Sequence, residues 1–205
     1  LDVGITIPPE IRSRYKSVLG WCAKGVDSLA DRLVFREFEN DNFEINEIFN
    51  MNNPDVFSDS AVLSALIASC CFVYISKGEG DIPRLQVIEA SNATGVIDPI
   101  TGLLEEGYAV LERNNRGEPS LEAYFAAGGT DYYKDGKFDY SIENNVAYPL
   151  LVPIIHWPDA VRPFGRSRIT RAGMYYQRYA KRTLERADIT AEFYSFPQKY
   201  VTGIS

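Results

Sequence analysis

A single histidine, two methionines and two tryptophans in 205 residues leave little material for several kinds of site. Zinc centres draw on clusters of histidine and cysteine. The three cysteines, two of them adjacent at Cys70 and Cys71 inside an apolar run, show neither a disulfide framework nor a metal-ligand spacing. They read as small core residues of a protein that folds in a reducing compartment. Long hydrophobic runs are missing too: the longest, Ala65 to Ile75, is broken by Ser69 and falls far short of the roughly 20 apolar residues of a membrane-spanning helix. The sequence carries no Walker-type phosphate loop, no dinucleotide fingerprint, no His-Glu-x-x-His zinc site and no calcium loop, so no cofactor is expected. Gly78-Glu79-Gly80-Asp81 and the stretch from Asp131 to Asp139 are rich in glycine and acid, which hairpin turns explain more simply than calcium does.

What is present is a break in charge. Residues 1 to 159 hold 12 Lys/Arg against 25 Asp/Glu, and residues 160 to 205 hold 9 against 3, so a body of −13 carries a tail of +6. The break lies just ahead of Pro163-Phe164-Gly165-Arg166-Ser167-Arg168-Ile169. A basic helical tail on an acidic body suits either a grip on nucleic acid or a surface that meets the acidic face of another copy. With 45% hydrophobic and 24% charged residues, the chain has enough apolar material for a sizeable core.

Periodicity predicts an α+β fold. Ile11, Tyr15, Val18, Cys22, Val26 and Leu29 recur at helical spacing after Pro8-Pro9. A short strand is expected over Val34 to Phe38, then a helix around Phe43 to Met51 stopped by Asn52-Asn53-Pro54. Ser58 or Asp59 can cap a third helix through Ala61, Leu63, Leu66 and Ile67. From Cys71 on, short β-rich runs (72–76, 84–89, 95–97, 107–113, 120–126, 130–133, 137–140 and 152–156) alternate with turn signals and predict a meandering, mostly antiparallel sheet. Lys134-Asp135-Gly136-Lys137 reads as a two-residue hairpin turn. A long helix is expected from about Ser167 to Phe193, ended ahead of Pro197. Its buried side would be formed by Ile169, Ala172, Gly173, Tyr176, Ala180, Thr183, Ala187 and Ala191, with arginines on the other side. The expected organisation is one domain over 1–205, with a helical part (1–70), a β-rich part (71–157) and the basic motif with its helix (158–205). The start, Leu1-Asp2-Val3-Gly4, has no initiating Met and no leader-like pattern, so the chain is expected to be a fragment of a longer one.

Catalytic material is thin. His156 lies in an apolar, strand-like context where a lone histidine is usually structural, although it could act as a general base with Asp159. Tyr108, Tyr124, Tyr132, Tyr133, Tyr140 and Tyr148 could stack on bases, but their acidic neighbours repel phosphate and favour a role in sheet packing. The stripe of Arg166, Arg168, Arg171, Arg178, Arg182 and Arg186 is the one plausible phosphate-binding or subunit-binding surface. Read as an ordinary solvated face, it would carry ion pairs such as Lys181 with Glu185. In the motif itself, Gly165 permits a tight turn and Ser167 can cap the helix that follows.

The order of these elements resembles the N-terminal half of tailed-bacteriophage portal proteins. The resemblance rests on Ala30-Asp31-Arg32-Leu33-Val34 closing a helix, the Asn-rich helix end, the Ala/Ser/Cys helix feeding into Phe72-Val73-Tyr74-Ile75, and Asp98-Pro99-Ile100-Thr101-Gly102. Its strongest part runs from Val152-Pro153-Ile154-Ile155-His156 through Phe164-Gly165-Arg166-Ser167-Arg168-Ile169 into a long helix closed by Ser195-Phe196-Pro197-Gln198-Lys199-Tyr200-Val201-Thr202-Gly203. It implies wing material of a ring of about twelve copies at one capsid vertex. The ring would serve as a conduit for double-stranded DNA during packaging and ejection, without sequence readout. The implied partners are other copies of the chain, a terminase motor, and capsid or scaffold proteins. The implied locations are the virion and, during assembly, the host cytoplasm. Neither catalysis nor a membrane is implied. The rival readings are a nucleic-acid-binding module using the arginine helix and an enzyme using His156 and Asp159.

Overall fold

Asn52-Asn53-Pro54 ends one helix and starts the next, with only Asn52 and Asn53 between them. The computed structural model describes residues 17–40, 43–78, 80, 82–195 and 203. In it α1 (Trp21–Ala30), α2 (Ile45–Met51) and α3 (Pro54–Ala68) precede eight strands, and α4 (Arg171–Ser195) follows them. Pro54 occupies the first turn of α3, where its missing N–H costs nothing. The helix therefore begins earlier than a cap at Ser58 or Asp59 would place it. Asn52 does more than stop α2. Its amide donates to the carbonyls of Ile48 (2.7 Å) and Pro83 (3.0 Å), and its Oδ1 accepts from the Leu85 N–H (2.9 Å), so one side chain pairs with a strand as a neighbouring backbone would.

The strands are β1 (Cys70–Lys77), β2 (Pro83–Glu89), β3 (Ala93–Ile97), β4 (Leu104–Arg113), β5 (Pro119–Ala126), β6 (Gly129–Lys134), β7 (Lys137–Glu143) and β8 (Leu151–Ile155). They form two sheets in which every pairing is antiparallel, one ordered β2-β1-β8 and the other β3-β4-β5-β6-β7. The fold is α+β. Both central residues of the β6–β7 turn have positive φ, Asp135 at 50° and Gly136 at 73°, the backbone that a tight two-residue hairpin requires.

Strand β1 is covered on both faces, which explains its unbroken apolar run. Cys70 and Phe72 join Ile88, Leu104, Phe125 and Leu151 in a core to which both sheets contribute. Cys71 points the other way and packs with Ala61 and Ala65 of α3. Alternate residues of a strand face opposite sides, so a strand buried on both sides cannot show a polar alternation. Cys71 is 0% exposed. Burial, with a smaller contribution from Cys70, pushes its thiol up to about 12, so it behaves as a small apolar group.

Backbone contacts divide the chain into two units, 25–169 and 1–24 with 170–205. The boundaries fall inside α1, between Lys24 and Gly25, and just ahead of α4. The larger unit contains both sheets, α2 and α3. In the smaller unit, Gln177 of α4 accepts a hydrogen bond from the Cys22 N–H (2.9 Å).

Several expectations need correction. Residues 34–38 form no strand, because the Asn46 side chain both accepts from the Phe38 N–H and donates to its carbonyl (2.9 Å each), so this backbone pairs with an amide rather than a sheet. Helix α2 begins at Ile45, after a left-handed Glu44. Helix α4 begins at Arg171, with Thr170 Oγ1 accepting from the Gly173 N–H (3.0 Å), so Thr170 rather than Ser167 caps it. The face of α4 expected to be buried is largely open: Gly173 and Ala180 are half-buried, but Ala172, Thr183, Ala187 and Ala191 are exposed and Tyr176 is 65% exposed. Among the described residues α4 has no buried side chain. Ile11, Tyr15 and the Pro197 ending lie outside the described residues.

Candidate functional site

The loop from β8 to α4 is tied down by its own backbone. His156 N–H donates to the Ser69 carbonyl (2.8 Å), and the Arg166 N–H donates to the His156 carbonyl (2.9 Å). Between these points the chain reverses at Gly165, whose φ is 75°. A Cβ there would stand 2.1 Å from the His156 oxygen and 2.8 Å from Ile155 Cγ2, so both the backbone conformation and the space require glycine. Phe164 fastens the turn to the core, its ring 6.0 Å from that of Phe72.

Ser167, expected to cap the start of the following helix, instead caps the C-terminal end of α3. Its hydroxyl donates to the Ile67 carbonyl (2.6 Å) and accepts from the Ile169 N–H (3.0 Å), while the Arg168 N–H donates to the Leu66 carbonyl (2.8 Å). The motif thus satisfies last-turn carbonyls of α3, which no residue of that helix can reach.

His156 and Asp159 are not paired with each other. The imidazole Nδ1 lies 2.6 Å from the Arg166 carbonyl; a carbonyl only accepts, so Nδ1 carries the proton there. Asp159 accepts from the Arg166 guanidinium and from the N–H groups of Val161 (2.9 Å) and Arg162 (2.8 Å). Arg166, aided by those backbone donors, holds the Asp159 carboxyl below the usual carboxylate range. Among the described residues no group of three or more His, Cys, Asp or Glu could hold a metal ion, and no helix is long and apolar enough to cross a membrane.

The six arginines therefore separate into two sets. Arg166 is engaged by Asp159, and Arg168 is exposed beside the α3 cap. Arg171, Arg178, Arg182 and Arg186 lie on α4, all exposed. At 100° per residue they fall on one stripe with Tyr175 and Tyr179, whose rings stack 6.4 Å apart. These two tyrosines were missed by sequence reasoning, although their spacing of three and four from Arg171, Arg178 and Arg182 was a usable signal. The one ion pair formed by the described residues of α4 joins Lys181 to Glu185 (3.8 Å), as the sequence suggested.

A second feature had no counterpart in the sequence reading. The larger unit contains a cavity of about 780 Å³ bordered by α1, α2, α3 and the segment after α1. Phe35, Phe49, Val62 and Leu63 supply apolar walls, and Phe35, Phe38 and Phe57 gather round Phe49 with ring centroids 4.4, 5.5 and 5.2 Å from it. Among the described residues its charged lining is mostly acidic, Asp27, Asp31, Glu37, Asp55 and Asp59 against Arg36, with Asn46, Asn50 and Ser58 as neutral polar groups. None of these carboxylates has an ion-pair partner among the described residues. Reading 34–38 as a strand hid the cluster, because Phe35 and Phe38 then fall on separate sheet positions.

Five of the six tyrosines with acidic neighbours, Tyr108, Tyr124, Tyr132, Tyr133 and Tyr140, lie on the five-stranded sheet, whereas Tyr148 is exposed between β7 and β8 and does not pack in it. Tyr108 donates to Glu122, Tyr124 donates to Glu106, and Tyr132 stacks on Tyr140 at 4.6 Å. Burial, with the Glu122 contact, pushes the Tyr108 phenol up to about 12. In comparisons with known proteins, the chain matches no family model and no curated sequence.

Proposed function

We propose that the protein is a structural subunit of a homo-oligomeric ring, the portal of a tailed bacteriophage, and that α4 is part of its assembly surface. The observation that carries this reading is the state of α4: 25 residues with no buried side chain among those described, and with arginine and tyrosine gathered on one stripe. Helices in proteins owe most of their stability to packing of one face. A helix this open, containing a glycine and several β-branched residues, calls for a partner. The 25–169 unit supplies a suitable one, with 11 Lys/Arg against 23 Asp/Glu. A head-to-tail ring joins two different faces of each copy, and unlike charges on those faces favour closure. An acidic body also lets duplex DNA slide without being held. The motif order from β8 through Gly165-Arg166-Ser167 into α4 is the sequence support.

In this reading the chain does no catalysis. It stands at a capsid vertex of the virion, meets a terminase motor and capsid or scaffold proteins through the full-length protein, and is assembled in the host cytoplasm. Electron microscopy of the purified full-length protein tests it. Closed rings with an axial channel are expected, and a uniformly monomeric protein at high concentration would overturn it.

The arginine and tyrosine stripe also supports a second reading, a nucleic-acid grip. That reading predicts duplex binding whose log–log salt slope is about −0.9 per phosphate contacted, and absence of duplex binding at low salt would end it.

A further inference from the structure

We infer that the acidic, phenylalanine-walled cavity of the 25–169 unit receives the arginine and tyrosine stripe of α4 from a second copy of this chain. The inference deepens the ring reading and rests on it.

The cavity's charge is arranged in helical steps. Asp27 and Asp31 stand four residues apart on α1 and the turn that extends it, and Asp55 and Asp59 stand four apart on α3. Like charges at that spacing repel and weaken the helix that bears them. Among the described residues no cation relieves either pair. A cationic partner with the same spacing would relieve both.

Helix α4 offers that spacing. Arg178 and Arg182 are four apart, Arg171 and Arg186 extend the stripe, and Tyr175 and Tyr179 lie between them at the same helical repeat. Seated in the cavity, the tyrosine rings would meet Phe35, Leu63 and Phe49, and their hydroxyls would reach the acidic border. The pairing is chemically familiar within this molecule, where Tyr108 and Tyr124 already donate to Glu122 and Glu106. The guanidinium groups would pair with the aspartates at the edge, and a planar guanidinium can also stack on an exposed phenylalanine face. At about 780 Å³ the cavity is the size of those that bury bulky organic groups, so it can take side chains rather than only a surface contact. The exposed Val34 and Leu33 beside it would be covered by the same helix.

The test is charge reversal with rescue, read as association of the full-length protein by sedimentation velocity at fixed salt. Asp55→Arg with Asp59→Arg, and separately Arg178→Asp with Arg182→Asp, are each expected to weaken association at least tenfold, that is by about 1.4 kcal/mol or more. The chain carrying all four changes should recover most of the loss. The neutral set Asp55→Asn with Asp59→Asn, compared by circular dichroism and melting, separates lost association from lost folding and should weaken association in the same direction.

If the wild-type protein forms rings and the cavity variants form them equally well, the inference fails while the ring reading stands. If the wild type is monomeric, both fail. A cavity variant that loses stability but not association would overturn the proposal. So would helix variants that lose only duplex DNA binding.

Discussion

The loop 156–169 and helix α4 are adjacent in sequence and both rich in arginine, yet they use it in opposite ways. In the loop, Arg166 closes on Asp159, its backbone pairs with His156, and Ser167 and Arg168 finish α3. These contacts tie the segment to the larger unit, although Trp157 and Val161 remain exposed, and the turn at Gly165 makes them possible. In α4 the arginines lie on an open stripe, and the described side chains include none that is buried. A basic run in sequence is therefore not one functional object here. Its first third is structural, and its remainder is exposed helix surface.

Substitutions can break this contrast at different strengths. The largest effect is expected in the core that the loop is fastened to: Phe125→Ala, at a side chain 0% exposed, should lower unfolding free energy by about 4 kcal/mol in a urea titration. Gly165→Ala should cost about 3 kcal/mol by the same measurement, from the positive φ together with the collision on the His156 carbonyl. An unaffected midpoint there would mean that the loop is not held as described. Ser167→Ala leaves the Ile67 carbonyl of α3 without its donor and should cost about 1 kcal/mol.

Alkaline pH offers a further separation. The folded Tyr108 phenol is raised to about 12, whereas an unfolded tyrosine titrates near 10, as roughly expected for a free phenol. Its raised pKa contributes stability that is fully present below about pH 10 and is lost as the pH rises toward 12. The urea midpoint should therefore fall between pH 9 and pH 11, and Tyr108→Phe should shrink that fall. The smallest stability effect belongs to α4: Tyr179→Ala should change unfolding free energy by no more than about 0.5 kcal/mol while weakening self-association. A large loss of stability would show α4 to be core rather than surface.

The sheet was legible in the sequence because its punctuation is local. Asp135-Gly136 dictates its own turn, and glycine and asparagine bound most of the other strands. That there are two sheets was not legible, since β1 pairs with β8 across some eighty residues and no local signal records the partner. The strand expected at 34–38 failed because an amide of α2 captured the backbone of Phe38, a contact that propensity cannot anticipate. The site was half legible. Gly165 is marked by its residue type, and the arginines by their spacing. Ser167 was assigned to the nearer helix because the capped end of α3 lies a hundred residues away in the chain. The inward side of α4 was misjudged because small residues at helical spacing look alike whether they meet a core or solvent. The cavity needed the packing of four phenylalanines from three segments, the stretch after α1, α2 and α3.

Hydrogen exchange at residues 171–195, compared between the assembled full-length protein and the protein dissociated by high salt, tests the central claim most directly. An open helix exchanges through low-cost local unfolding, whereas one seated against a partner is protected. The account predicts that α4 gains protection on assembly, most strongly from Arg171 to Arg186, while the buried strands β1 and β5 change little. Equal exchange of α4 in the two states would contradict it.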